Sequence, residues 1–354
     1  MGRDFGRVLS FNILVILLRS ATFVISYKPQ VPCYFIFGDS WVDNGNNNKL
    51  DTKCKVNYPP YGVDFPDGNT GRFTNGRTTA DIIGQLLGFE EFIPPYATAS
   101  DKQISRGVNY GSGSAGIRKE SGRQLGERIN LDMQLRHHKS IISRLYHLRK
   151  NNKKILRKCI YLVNMGSNDY VNNFFLPDSY NTSNMFTRDE YAQVLIRQYS
   201  KQLKTLVRLE ARKIVVFGLA KLGCSPVNIE RFGTKGKPCV ESINNAVDIF
   251  NHQLISLIED LNDNNSDATF TYINLASILA PLGDVPLPSA PCCKLREDRQ
   301  CIRDSVPCAY RDLSIFFDGF HPTEVANMII AMRSYAKFSP LDACPYDISH
   351  LAQL

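Results

Sequence analysis

Short β-branched or aromatic runs alternate along this chain with longer stretches of helical periodicity, which predicts an α/β protein built on a mostly parallel sheet. Two further observations agree. The runs are almost continuously apolar, as strands covered on both faces must be. The polar, glycine-rich motifs fall just past the ends of these runs, where ligands sit in such sheets.

The runs, in order, are CYFIF at 33–37, ISRGVNY at 104–110, CIYLVN at 159–164, KIVVF at 213–217 and TFTYIN at 269–274, giving five strands. Helical spacing of apolar residues marks 77–87, 131–148, 187–209, 240–261 and 324–335. No repeat, low-complexity tract or linker divides the chain, so 27–354 is expected to form one catalytic domain.

The first residues carry two arginines, then an apolar run at 8–18, then small residues near Ser20 and Ala21, the order of a secretory leader. The run is shorter than the roughly 20 residues a bilayer-spanning helix needs, and Arg19 interrupts it. A leader over 1–26, cleaved between residues 21 and 27, makes the protein secreted, with no stable membrane insertion. Its loss removes Arg3, Arg7, Arg19 and Asp4, lowering the net charge from +8 to +6. Much of that excess lies in 136–158, on the outer face of a helix whose Leu131, Leu135, Ile142 and Leu145 pack inward. Such a run is ordinarily a solvated face; the alternative is weak binding of a polyanion such as acidic polysaccharide or anionic lipid. Nucleic acid does not suit an exported chain.

Ten cysteines in an exported chain point to disulfides. The stretch CCKLREDRQCIRDSVPC at 292–308 contains no C-x-x-C and no histidine, so it reads as a stapled loop and no metal is expected. Cys224 and Cys239 bracket a second loop and are candidates to pair. Cys159, inside an apolar run, reads as a buried free thiol. Asn181 (NTS) and Asn264 (NNS) are glycosylation acceptors by pattern.

A serine becomes nucleophilic when a base takes its proton, and that base works best when a carboxylate fixes its tautomer. Of six histidines, His137, His138 and His147 lie in the basic helix, His252 in another helix and His350 in the tail. His321 stands apart: it precedes Pro322, which holds its backbone extended before a helix, and Asp318 lies three residues upstream across Gly319. The bland reading of such a D-x-x-H is a helix cap beside a surface histidine. Ser40 ends the first strand at a Gly-Asp-Ser turn. No G-x-S-x-G is present, and the competing Ser225, between Cys224 and Pro226, reads as structural. Ester chemistry also needs donors for the oxyanion. Gly113, in GSGSAG, and the amide of Asn168, in GSND, are candidates; separately, each reads equally well as a turn or a cap. A nucleotide site is not supported, since the first turn lacks G-x-G-x-x-G.

The blocks FIFGDSWVDNGNNN, NYPPYGVDFPDGNTGRFTNGRTTADII, NYGSGSAGI, LVNMGSNDY, VVFGLAKLGC and FFDGFHPTEVAN, in this order, resemble the plant GDSL esterase/lipase family over about 33–335. The resemblance implies a three-layer α/β/α, flavodoxin-like SGNH hydrolase fold. It implies a Ser40, Asp318 and His321 triad, an oxyanion hole of the Ser40 amide, Gly113 and Asn168, and no cofactor. Its substrate would be an ester of a lipid, an acylated polysaccharide or a small metabolite, in the plant apoplast or cell wall. Transacylation and catalytically silent polysaccharide binding are the rival functions. Two departures are Trp41, where the namesake motif has leucine, and Gly111, where alanine is usual. Trp41 bears on the shape of the acyl pocket.

Overall fold

The computed structural model describes residues 28–148, 152–265, 267–280 and 290–354. The expected leader and residues 149–151 of the basic run lie outside this set. The sheet runs β1 (Tyr34–Gly38), β2 (Ile160–Asn164), β3 (Lys213–Phe217), β4 (Thr269–Ile273) and β5 (Ala343–Cys344), in that spatial order, the first four parallel and β5 antiparallel.

Successive side chains of β1 divide between two apolar layers. Phe35 and Phe37 join the core formed with α2 (Leu131–Leu148), α3 (Arg188–Arg208) and α4 (Glu241–Asp263). Tyr34 and Ile36 join the core formed with α1 (Thr79–Leu86), α5 (Glu324–Tyr335) and α6 (Ile348–Gln353). This alternation, imposed by the two-residue pleat, makes the three-layer α/β/α arrangement. The helix starts follow local chemistry. Thr78 and Asp81 form a capping box on α1, as do Thr187 and Glu190 on α3.

The expected strand at 104–110 is not a strand of the sheet. Residues 106–110 nevertheless run beside β1, bonded through Tyr34 N–H to Arg106 O, Ile36 N–H to Val108 O and Tyr110 N–H to Ile36 O at 2.7–3.0 Å. Gly107 prevents a regular strand: its φ is +128°, and a Cβ there would lie 1.8 Å from the Tyr34 carbonyl oxygen. With this ribbon counted, the five runs read from the sequence stand in the flavodoxin-like order 2-1-3-4-5. The fifth true strand, Ala343–Cys344, is only two residues long.

Cysteine pairing departs from expectation at one place. Cys159 is not a free thiol: it is bonded to Cys33. The parallel register sets Tyr34 opposite Ile160, so the residues one step earlier face each other at the base of β1 and β2. Cys224–Cys239, Cys292–Cys308 and Cys293–Cys301 staple the two loops, leaving a buried Cys54 and an exposed Cys344 as thiols.

The basic helix also differs in detail. His138 faces inward, fully buried among Phe35, Phe37, Tyr110 and Tyr161, and burial pushes it down to about 3. His137 stacks flat on Tyr96. Arg144 is paired with Asp101, Lys153 with Glu210, and Arg157 with Glu210 and Asp267. Among the described residues, no helix is long and apolar enough to cross a membrane.

Candidate active site

The β1 and β2 ends approach so closely that a Cβ on Gly38 would lie 2.5 Å from the Asn164 carbonyl oxygen, and both chains turn away there. At that divergence β1 delivers Asp39, Ser40 and Trp41, while β2 delivers Asn168 after a turn at Gly166, where φ is +132°. The loop before α5 crosses above them. The antiparallel bridge between Phe316 and Pro322 closes a tight turn that carries Asp318 and His321.

These elements bring together three side chains from far apart in the chain. His321 Nε2 lies 2.8 Å from Ser40 Oγ. On the other side of the ring, Nδ1 lies 2.9 and 2.8 Å from the two carboxylate oxygens of Asp318. Asp318 is fully buried and His321 nearly so. Asp318 Oδ1 also accepts the amides of Phe320 and His321, each at 2.8 Å, so the carboxylate is held by its own turn. The ring packs against Phe73, 4.9 Å between centroids.

A cavity of about 310 Å³ opens over Ser40 and His321. Its lining includes the apolar Trp41, Leu125, Val171, Leu176, Leu222 and Phe320 and the charged Arg231, Glu297, Asp298 and Arg299. The expected Asn168 lines this cavity, donating one amide hydrogen to Ala115 O at 2.9 Å while its oxygen accepts from Asn172 at 2.7 Å. Gly113 is placed differently from expectation. Its amide donates to Asp43 Oδ2 at 2.9 Å, and its neighbour Ser114 lines the cavity instead. The cause lies in Asp43, whose buried carboxylate gathers the amides of Gly45, Asn46 and Gly113. Burial pushes Asp43 up to about 6 against those bonds.

Several contributors carried no recognisable signal. Tyr61 donates to Asp318 Oδ2 at 2.6 Å across 257 positions, a distance no local pattern reveals. Asp39 is buried beside Ser40 with Oδ2 unpartnered; burial pushes it up to about 7, opposed by the Trp41 amide and by His321. Cys54 reaches the cavity wall, and burial pushes its thiol up to about 12, which keeps it protonated and unreactive. Ser225 lies in the wall as well, but its hydroxyl donates to Leu222 O at 2.9 Å. Asn181 and Asn264 are exposed on the surface.

Comparison with known proteins adds to this geometry. The sequence profile described as GDSL-like lipase/acylhydrolase matches residues 34–334. GDSL esterase/lipase At5g45670 of Arabidopsis thaliana is 44% identical over 97% of this chain and 99% of its own. Two others from that plant, GDSL esterase/lipase At1g29670 and At1g29660, are 47% and 45% identical, over 92% and 96% of this chain and 93% and 96% of their own. The chain therefore belongs to the GDSL-like lipase/acylhydrolase family and is, by class, a carboxylic ester hydrolase.

Proposed function

We propose that this protein is a secreted serine esterase that cleaves carboxylic esters through an acyl-enzyme. His321 Nε2 takes the proton of Ser40 as Oγ attacks the ester carbonyl, and Asp318 holds the imidazole tautomer and steadies its charge. The oxyanion is received by the Ser40 amide and the remaining amide hydrogen of Asn168. Gly113, with its amide engaged by Asp43, supports the hole from behind rather than donating to it. His321 then returns the proton to the departing alcohol, and water repeats the sequence to release the acid.

The observation that carries this reading is the continuous contact from Ser40 Oγ through the His321 ring to Asp318, with every member buried. The apolar part of the lining suits an acyl chain and the charged residues a polar alcohol portion. Export is supported by four disulfides. Exposure of both sequon asparagines suits glycosylation of Asn181 and Asn264. The basic face is a weak candidate for polyanions, because Arg144, Lys153 and Arg157 already have carboxylate partners.

The test is hydrolysis of short aryl esters by the native chain and by Ser40→Ala. The variant should keep the fold and lose turnover; undiminished turnover sinks the proposal. A competing alcohol in the assay separates hydrolysis from transacylation by the product formed.

A further inference from the structure

We propose that Tyr61 is a positioning residue of this site, fixing Asp318 through its second carboxylate oxygen and tying the imidazole's orientation to the disulfide-stapled loop. The proposal rests on the reading of Ser40, His321 and Asp318 as the reacting set.

The direction of the hydrogen bonds defines the role. The Cys301 amide donates to Tyr61 Oη at 3.0 Å. An amide can only donate, so the phenol accepts there and must send its own hydrogen to Asp318 Oδ2, 2.6 Å away. Burial first, and the Asp318 charge second, push the Tyr61 phenol well above its ordinary range, so it keeps that hydrogen. Tyr58, Phe73 and Phe317 hold the Tyr61 ring edge-on, with centroids at 5.5, 6.5 and 5.5 Å.

The stapled loop reaches the Asp318 turn by two routes. Cys301, bonded to Cys293, presents its amide to Tyr61 and accepts the Tyr58 hydroxyl at 3.0 Å. Arg299 O accepts the Gly319 amide at 3.0 Å, and a Cβ on Gly319 would lie 2.7 Å from Arg299 Cβ. The turn's own amides occupy Oδ1, so Tyr61 supplies the hold on Oδ2 from outside the turn.

Two consequences follow for catalysis. The phenol disperses charge from Oδ2, one of the two carboxylate oxygens that face His321 Nδ1, and it stops the carboxylate from rotating. Without it, Asp318 keeps only the hold of its own turn on Oδ1, and the imidazole loses part of its fixed orientation toward Ser40.

Tyr61→Phe, assayed on a short aryl ester, should lower kcat roughly tenfold at unchanged KM, the scale of one charge-assisted hydrogen bond. Cys293→Ala with Cys301→Ala should give a smaller loss that does not add to that of Tyr61→Phe. Turnover within twofold of native overturns the proposal. So does a loss confined to KM or to thermal stability. The Tyr61→Phe result decides even where the paired cysteine variant fails to fold. Persistence of activity in Ser40→Ala would overturn the esterase reading instead.

Discussion

The chain contains the same four-residue pattern twice, Asp318 to His321 and Asp347 to His350, and builds nearly the same local object from each. In both, the aspartate accepts the histidine's own amide, at 2.8 and 2.9 Å, and touches its Nδ1, at 2.8–2.9 and 2.6 Å. The difference lies on the far side of the ring. His321 is buried with Nε2 on Ser40, whereas the His350 side chain is 65% exposed and Asp347 caps α6. Asp347 is drawn up by burial, but the His350 amide and ring, with other donors, hold it below the ordinary carboxylate range. A D-x-x-H therefore specifies an oriented imidazole, and the tertiary partner of Nε2 is what sets His321 apart from His350.

The widest contrast between the two pairs should appear in turnover. His321→Ala should cost at least about a thousandfold in kcat, while His350→Ala should leave kcat and KM unchanged. Equal losses would erase the distinction. Asp318→Asn, which keeps the shape but disturbs the tautomer, should lower kcat by about three to four orders of magnitude, the scale known from serine proteases. Asp347→Asn should have no kinetic effect.

His138 sharpens the comparison as a buried imidazole with no carboxylate beside it. Burial lowers it from 6.5 to about 3, so the unfolded chain binds its proton first as pH falls, and the group's contribution to stability is lost between those values. His138→Phe should reduce the fall in urea midpoint between pH 7 and 4.5 by the equivalent of about 2 kcal/mol. The raised Asp39, Asp43 and Asp169 act in the opposite sense, costing stability as pH rises toward 6 or 7; they are common to both proteins and cancel in the difference. The smallest effect belongs to Asp347→Ala, which should cost about 1 kcal/mol through the lost helix cap, read as a lowered melting temperature.

The residues that meet at the site were legible because each sits in a short-range device: a strand-end turn for Ser40 and a three-residue loop for Asp318 and His321. What was illegible depended on register between distant segments. Cys159 read as free because its partner is set by the pairing of β1 with β2. Gly113 read as a donor to the cleft because Asp43, 70 positions away, was not known to claim its amide. Tyr61 lay within a recognisable block, but nothing nearby revealed what its hydroxyl would meet. The strand at 104–110 was overcalled because Gly107 counts as one residue in a pattern but decides the path of the backbone.

The Cys33–Cys159 bond spans 126 positions and joins the start of the strand that leads to Ser40 to the start of its neighbour. A protease that cuts any loop between them severs the polypeptide without separating the pieces. The nicked protein should migrate as one band on a non-reducing gel and as two after thiol treatment. A backbone cut there leaves both pieces attached, where an uncrosslinked chain would release a fragment.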